Sequence, residues 1–152
     1  MPKIDLASLP VHEGSIYPPP FDQEVAGRSS LRAGDAGGIT QFGANIVTLA
    51  PGAKSSMRHW HVNEDEFAVV LTGELMLVED EGETRMLPGD CAAFPANSGN
   101  GHCFINRTDT HASFFVVGNR GGDETAHYPD HGLRVDVRDG VATYVRADGG
   151  PL

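Results

Sequence analysis

The sequence predicts an all-β fold, a small antiparallel barrel, and three observations carry this prediction. Short apolar runs of about five to ten residues follow one another from Ile39 onward, each bounded by Gly, Pro, Asn or Asp. The 19 glycines and 10 prolines are scattered between these runs as turn formers. No window keeps a period of 3.6 residues, so little helix is expected.

The predicted strands lie within five stretches and are joined by hairpin signals such as LTGE and EDEGE. A barrel is favoured over an open sandwich because the polar residues described below need an interior to point into. The stretches read, in order, ITQFGANIVTLA, EFAVVLTGELMLVED, TRMLPGDCAAFP, HCFINR and ASFFVVGNR.

Two segments flank the predicted barrel, which we assign to residues 39–120. Residues 1–38 contain IYPPPF and RAGDAGG, which favour extended and turn conformations, so we expect an arm that lies on the domain or on a partner subunit. Residues 121–152 are expected to pack on the barrel and to add one or two strands at LRVDV and ATYVR. Because the arm around Ile16–Phe21 cannot form a core alone, we predict a homodimer.

Charge and composition restrict the partners. The formal net charge is −10, and no basic run could follow a phosphate backbone, so nucleic acid is not expected. The first ten residues lack the pattern of a signal peptide, and no apolar stretch approaches the ~20 residues that span a bilayer. The sequence therefore predicts a cytoplasmic protein without a membrane partner, in which Cys91 and Cys103 are reduced thiols.

The stretch RHWHVNEDEF, residues 58–67, contains the clearest chemical signal. Side chains at i and i+2 of a strand share a face, so His59 and His61 point to one side and Trp60 to the other. A bend after His61 could return a carboxylate to the same point, and spacing alone does not choose among residues 64, 65 and 66. His102, at the start of HCFIN, is a further candidate ligand.

Two ordered motifs resemble those of the cupins, a family of antiparallel jelly-roll barrels also described as a double-stranded β-helix. The first is Gly52-AKSSMR-His59-Trp60-His61-VNED-Glu66-FAVVLT-Gly73, with one extra residue before His59. The second is Gly89-DCAAF-Pro95-ANS-Gly99-NG-His102-CFI-Asn106, with two extra residues after Pro95. The resemblance selects Glu66 among the three acids and implies a metal site of His59, His61, Glu66 and His102.

The resemblance extends beyond the barrel motifs to Gly34-DAGGITQFG and Tyr128-PDHGL, which are similar to segments of small bacterial single-domain cupins of the cupin 2 conserved barrel type. Three imidazoles and one carboxylate suit one divalent transition metal ion, Fe, Mn, Ni, Co, Cu or Zn, and do not suit Ca or Mg. Strand parity predicts that Ala68, Val70, Phe104 and Asn106 line the interior around the ion.

Three functions fit this site. The first is a metal-dependent dioxygenase, and the second is a non-redox isomerase or lyase such as a sugar-phosphate isomerase, each acting on a small polar organic molecule. The third is a non-catalytic module that binds a small ligand or a metal. A phosphorylated substrate needs cationic partners, and the sequence offers Lys54, Arg58 and Arg107 near the motifs.

Overall fold

The computed structural model describes residues 3–152, so Met1 and Pro2 of the predicted arm lie outside the described range. Strands dominate it, and the one α-helix, Ala33–Ala36, has four residues. Low helix content was predicted and is confirmed. The strands are β1 (His12–Glu13), β2 (Arg28–Leu31), β3 (Phe42–Leu49), β4 (Trp60–His61), β5 (Glu66–Thr72), β6 (Leu75–Glu79), β7 (Gly82–Met86), β8 (Cys91–Phe94), β9 (Cys103–Ile105), β10 (Ala112–Asn119), β11 (Glu124–Tyr128), β12 (Leu133–Arg138) and β13 (Val141–Arg146).

The largest sheet has the strand order β1-β2-β3-β10-β5-β8 and is antiparallel throughout. Its central strand, β10, pairs with β3 from Ala112 opposite Leu49 to Asn119 opposite Phe42. Alternate residues of β5 face opposite sides: Ala68 and Val70 are buried, whereas the residues between and after them are not. One face of this sheet therefore supplies the core.

Two smaller sheets complete the fold, with the strand orders β13-β12-β11-β4 and β7-β6-β9. Apolar side chains of the three-stranded sheet, among them Leu75, Leu77 and Phe104, pack with those of the large sheet in one core cluster. The predicted all-β, antiparallel jelly-roll barrel is confirmed by this arrangement. A second cluster lies beneath the four-stranded sheet and includes Met57 and Tyr128.

Each predicted apolar stretch contains at least part of a strand, and the turns fall at the predicted glycines. Gly73 joins β5 to β6 with a φ of 73°, a conformation that residues other than glycine rarely adopt. A Cβ at this position would lie 2.7 Å from the Cβ of Ala112, which is too close for any side chain. The hairpin at LTGE thus requires glycine for two separate reasons.

The flanking segments are integral to the sheets. From the arm, β1 and β2 extend the large sheet, and Arg28 pairs with Leu49 of β3. The C-terminal segment contributes three strands where one or two were expected. The strand that was missed, β11, has the sequence ETAHY, in which buried Glu124 interrupts the apolar alternation that marks a strand.

The proposed division at residues 38/39 and 120/121 stays a prediction, as does the homodimer. Both thiols are free: Cys91 is exposed and Cys103 is buried. Among residues 3–152, no helix has the length and apolar character needed to cross a membrane.

Candidate metal centre and cavity

Three neighbouring elements bring the predicted ligands together. His59 directly precedes β4 and forms an isolated bridge with His102, in which the backbone N–H of each donates to the carbonyl of the other. His61 is the second residue of β4, and Glu66 is the first residue of β5. The bend VNED between them reverses the chain, as the sequence required for a carboxylate to return to the histidines.

The Nε2 atoms of all three imidazoles lie around one carboxylate oxygen of Glu66. The distances to its Oε2 are 2.9 Å from His102, 3.5 Å from His61 and 3.7 Å from His59. His59, His61 and Glu66 each offer a ligand atom within 4.8 Å of the others. The rings of His59 and His102 are 4.8 Å apart, and Phe94 stacks on His102 with centroids 3.6 Å apart.

The hydrogen bonds of the imidazoles indicate which ring nitrogen is free. Nδ1 of His59 lies 2.9 Å from the carbonyl oxygen of Met57, which can only accept, so Nδ1 carries the proton and Nε2 keeps its lone pair. The Nδ1 atoms of His61 and His102 are buried without a hydrogen-bond partner. The Nε2 atoms are thus the ones that face a common point.

The charges of the cluster are strongly coupled. Burial alone would raise the pKa of Glu66, but the hydrogen bond to His102 and the nearby imidazoles of His59 and His61 more than offset it and hold that pKa well below its usual value. Burial lowers the pKa of His102 despite its bond to Glu66. Burial also acts to lower the pKa of His61, but Glu66, Glu64 and Glu124 outweigh it, and the net shift is upward. Glu66 is therefore ionised at neutral pH and His102 is neutral.

These residues fit a transition metal ion. Two donors that each lie about 2.1 Å from one ion are about 3.0 Å apart at an octahedral angle and about 3.4 Å apart at a tetrahedral angle. The distances of 2.9, 3.5 and 3.7 Å between the imidazoles and Glu66 are close to this range. Metal ligation also requires neutral imidazole and ionised carboxylate, the forms that His102 and Glu66 adopt.

The two other acids of the bend have different positions. Asp65 turns away and accepts a hydrogen bond from the backbone N–H of Ala96. Glu64 lies 3.8 Å from Nδ1 of His61, on the side of the ring remote from Glu66. Of the three acids that spacing alone left open, Glu66 is the one whose carboxylate faces all three imidazoles.

Sequence reasoning missed Glu124. This carboxylate is buried, lies 3.7 Å from Nδ1 of His61, and accepts hydrogen bonds from the backbone N–H groups of Val62 and Asn63. It therefore fixes the bend that carries Glu66 and sets the charge behind His61. In the sequence, Glu124 is a single glutamate in a short segment that follows the predicted barrel strands. Nothing in that segment indicates a contact with His61, which lies 63 positions earlier.

A cavity of about 310 Å³ opens beside the cluster. Phe104 lines it as predicted, but the predicted lumen residues Ala68, Val70 and Asn106 do not; they are buried in the core. Asn106 donates to the carbonyls of Leu49 and Thr110, so it has a structural role. The cavity is lined by Ser15, Ile16, Tyr17, Arg28, Val47, Ser55, Ser56, His59, Glu66, Phe94, His102, Phe104, Phe114, Val116, Tyr128 and Tyr144.

Comparison with known proteins identifies the family. The family model described as a cupin domain matches residues 45–118. A crystal structure of a sugar phosphate isomerase of the cupin superfamily from Silicibacter pomeroyi is 54% identical, covers 99% of this chain and 96% of its own, and superimposes with a TM-score of 0.97. The chain belongs to the cupin superfamily. No curated protein matches it.

More distant cupin-like structures share the fold. A structure from Acidithiobacillus ferrooxidans, provisionally named a sugar phosphate isomerase, is 26% identical, with a TM-score of 0.76 over 82% of this chain and 80% of its own. A polyketide cyclase from Streptomyces resistomycificus is 20% identical, with a TM-score of 0.65 over 78% and 79% of the two chains. At this distance the likeness concerns the barrel alone, because one fold supports many reactions.

Proposed function

We propose that this cupin is a metal-dependent enzyme that catalyses a non-redox isomerisation of a small polar molecule. In the proposal, His59, His61, Glu66 and His102 hold one divalent transition metal ion at the cavity. The observation that carries it is the convergence of three imidazole Nε2 atoms on the Glu66 carboxylate beside a cavity of about 310 Å³.

The donor set supports an ion with exchangeable positions. A purely structural zinc site normally has a closed tetrahedral shell, often rich in cysteine, whereas both cysteines here are absent from the cluster. When bound, the ion would supply Lewis-acid polarisation of a carbonyl or hydroxyl group of the substrate.

The side chains that line the cavity would bind and orient the substrate and keep water away from it. Phe94, Phe104 and Phe114 make one side of the cavity apolar, which limits water near the reacting atoms. The ring of Tyr128 lies 5.9 Å from that of His59 and lines the same cavity. Burial, together with the neighbouring phenols of Tyr17 and Tyr144, raises the pKa of this phenol, so its hydroxyl stays protonated at neutral pH.

The substrate class is proposed from the relative. The Silicibacter pomeroyi protein is named a sugar phosphate isomerase, and the 54% identity extends over 99% of this chain. Sugar phosphates are therefore the first substrates to test. A cavity of about 310 Å³ is at the lower end of the ~300–1,000 Å³ typical of ligand pockets, which fits a molecule of this size.

Metal binding is tested first. Protein purified without nickel affinity should contain one equivalent of a divalent transition metal by elemental analysis. Glu66→Gln and His61→Ala should reduce the metal content severely, whereas His111→Ala, which removes an exposed histidine, should leave it unchanged. Near-stoichiometric metal in Glu66→Gln would contradict the proposed ligand set.

The reaction class is tested with each metal form and a panel of sugar phosphates. Isomerisation by the Zn(II) or Mn(II) form without oxygen would support the proposal. Oxygen uptake by the Fe(II) form, with an inert Zn(II) form, would favour the dioxygenase. If every form is inactive while a ligand still binds and raises the melting temperature, the protein is a binding module.

A further inference from the structure

Among residues 3–152, one permanent positive charge lines the cavity, and the arm provides it. Arg28, the first residue of β2, lines the cavity together with His59, Glu66 and His102. The cationic residues near the motifs, Lys54, Arg58 and Arg107, do not line it. They are paired instead, with Glu24 for Lys54, with Asp80 and Asp130 for Arg58, and with Glu83 for Arg107.

Arg28 has no carboxylate partner within 4.0 Å in the part of the chain that the structure describes. Its guanidinium is held in place by two carbonyl oxygens, since Nε donates to Ser55 at 2.7 Å and Nη1 donates to Gly14 at 2.9 Å. A guanidinium has five N–H donors, and Nη2 makes no hydrogen bond to residues 3–152. The guanidinium of Arg28 is therefore held in position, and its Nη2 N–H groups remain free to donate.

This environment favours an anion. Burial lowers the pKa of Arg28, because the charged form loses hydration that no carboxylate replaces. Ser56 and Tyr17 line the same cavity, and each carries a hydroxyl group, which is a type of donor that an oxyanion accepts from. The only carboxylate among the lining residues, Glu66, is already bonded to His102.

We infer that Arg28 binds an oxyanion, a phosphate or a carboxylate, of the molecule that enters this cavity, with the hydroxyls of Ser56 and Tyr17 beside it. Arg28 is then the residue that selects an anionic over a neutral substrate. This inference rests on the proposed function for the reaction, but the binding it assigns to Arg28 requires no turnover.

Binding of three matched five-carbon probes tests the inference. Ribose 5-phosphate, ribonate and ribose differ in bearing a phosphate, a carboxylate or neither, and calorimetry with the metal-loaded protein gives each dissociation constant. The wild type should bind at least one of the two anions about tenfold or more tightly than ribose. The anion that binds more tightly shows whether Arg28 recognises a phosphate or a carboxylate. Equal binding of all three would overturn the inference.

Three variants separate recognition from structure. Arg28→Met should weaken anion binding about ten- to hundredfold, the loss expected for hydrogen bonds to a charged group, and leave ribose binding unchanged. Arg28→Lys keeps the positive charge but lacks the planar set of N–H donors of the guanidinium, so it should retain part of the preference for anions. Arg32→Met, which removes a charge of the same arm outside the cavity, should behave as the wild type. A folded Arg28→Met that keeps the full anion preference would refute the role.

A measurement on the wild type covers the case in which Arg28→Met does not fold. The Nε–H of Arg28 bonds to Ser55, so its NMR signal is protected from exchange and can be followed directly. The signal should shift on saturation with the anion and not with ribose; no shift with either would overturn the inference. Anion binding without turnover would leave the inference standing and remove the proposed reaction.

Discussion

Replacing Glu124 by glutamine should change the titration of His61. The two side chains are separated by 3.7 Å, from Oε1 of Glu124 to Nδ1 of His61, and the glutamate side chain is only 7% exposed. Unit charges at this distance attract by about 1 kcal/mol in bulk water and about 4 kcal/mol at an effective dielectric constant of 20. Loss of the charge should therefore remove an attraction of about 1 to 4 kcal/mol and lower the pKa of His61.

The sign of this effect also fixes a stability prediction for the metal-free protein. Because the pKa of His61 is raised in the folded state, the charged imidazole stabilises the fold below its unfolded pKa of about 6.5. That contribution is lost as the pH rises through the folded pKa. The stability difference between wild type and Glu124→Gln should thus be largest under acidic conditions and decrease above neutral pH.

NMR titration of the imidazole C–H signals in metal-free protein measures the pKa directly, and chelator competition at pH 8.5 measures metal affinity. Loss of a carboxylate behind a ligating histidine typically weakens metal binding about 10- to 100-fold. Glu64→Gln removes a second carboxylate, which lies 3.8 Å from the same nitrogen and is 27% exposed, and should lower the pKa of His61 as well. The reasoning is refuted if folded Glu124→Gln leaves the pKa of His61 unchanged.

Further predictions concern stability and are measured by urea unfolding. Asn106→Ala should cost about 2 to 3 kcal/mol, because the buried carbonyl of Leu49 and the partly buried carbonyl of Thr110 each lose a donor; a loss below about 1 kcal/mol would contradict the structural role. The hydrogen bond from Arg58 lowers the pKa of Asp130, so that pair stabilises the fold above the unfolded pKa of about 3.9. The difference between wild type and Asp130→Asn should then disappear as the pH falls below 4, and a constant difference would count against the pair. Gly73→Ala should destabilise clearly more than Gly52→Ala, since both have positive φ but only Gly73 meets a neighbouring side chain; equal losses would show that the hairpin relaxes.

The fold could be predicted because local rules decide where strands and turns lie, and the resemblance to the cupin motifs supplied what those rules left open at the site. Strand parity places His59 and His61 on one face, whereas the resemblance selected Glu66 and implied His102 as a further ligand, and the structure brings the four residues to one point. Turn glycines such as Gly73 mark the ends of strands with similar reliability. Each of these signals is contained within a few neighbouring residues.

The rest of the site depends on contacts between distant segments, which a single sequence does not reveal. Nearness to the motifs suggested Lys54, Arg58 and Arg107 as cations for a substrate, yet each pairs with an acid and does not line the cavity. Arg28 and Glu124 lie in the segments that carried the weakest strand signal. Strand parity correctly predicted that Ala68 points into the barrel. It does not predict how far along the interior the cavity lies, and Ala68 does not line the cavity.

The cavity wall also determines the order in which this protein can become functional as it folds. The proposed metal ligands all lie within residues 59–102, whereas Tyr17 and Tyr144, whose rings are 6.2 Å apart, come from opposite ends of the chain. Closing so long a loop is entropically costly and slow compared with forming local hairpins. The wall that joins the two ends of the chain is therefore expected to close after the local hairpins, and a chain that has lost its first 30 residues would keep the four proposed ligands but lose Tyr17 and Arg28 from the cavity.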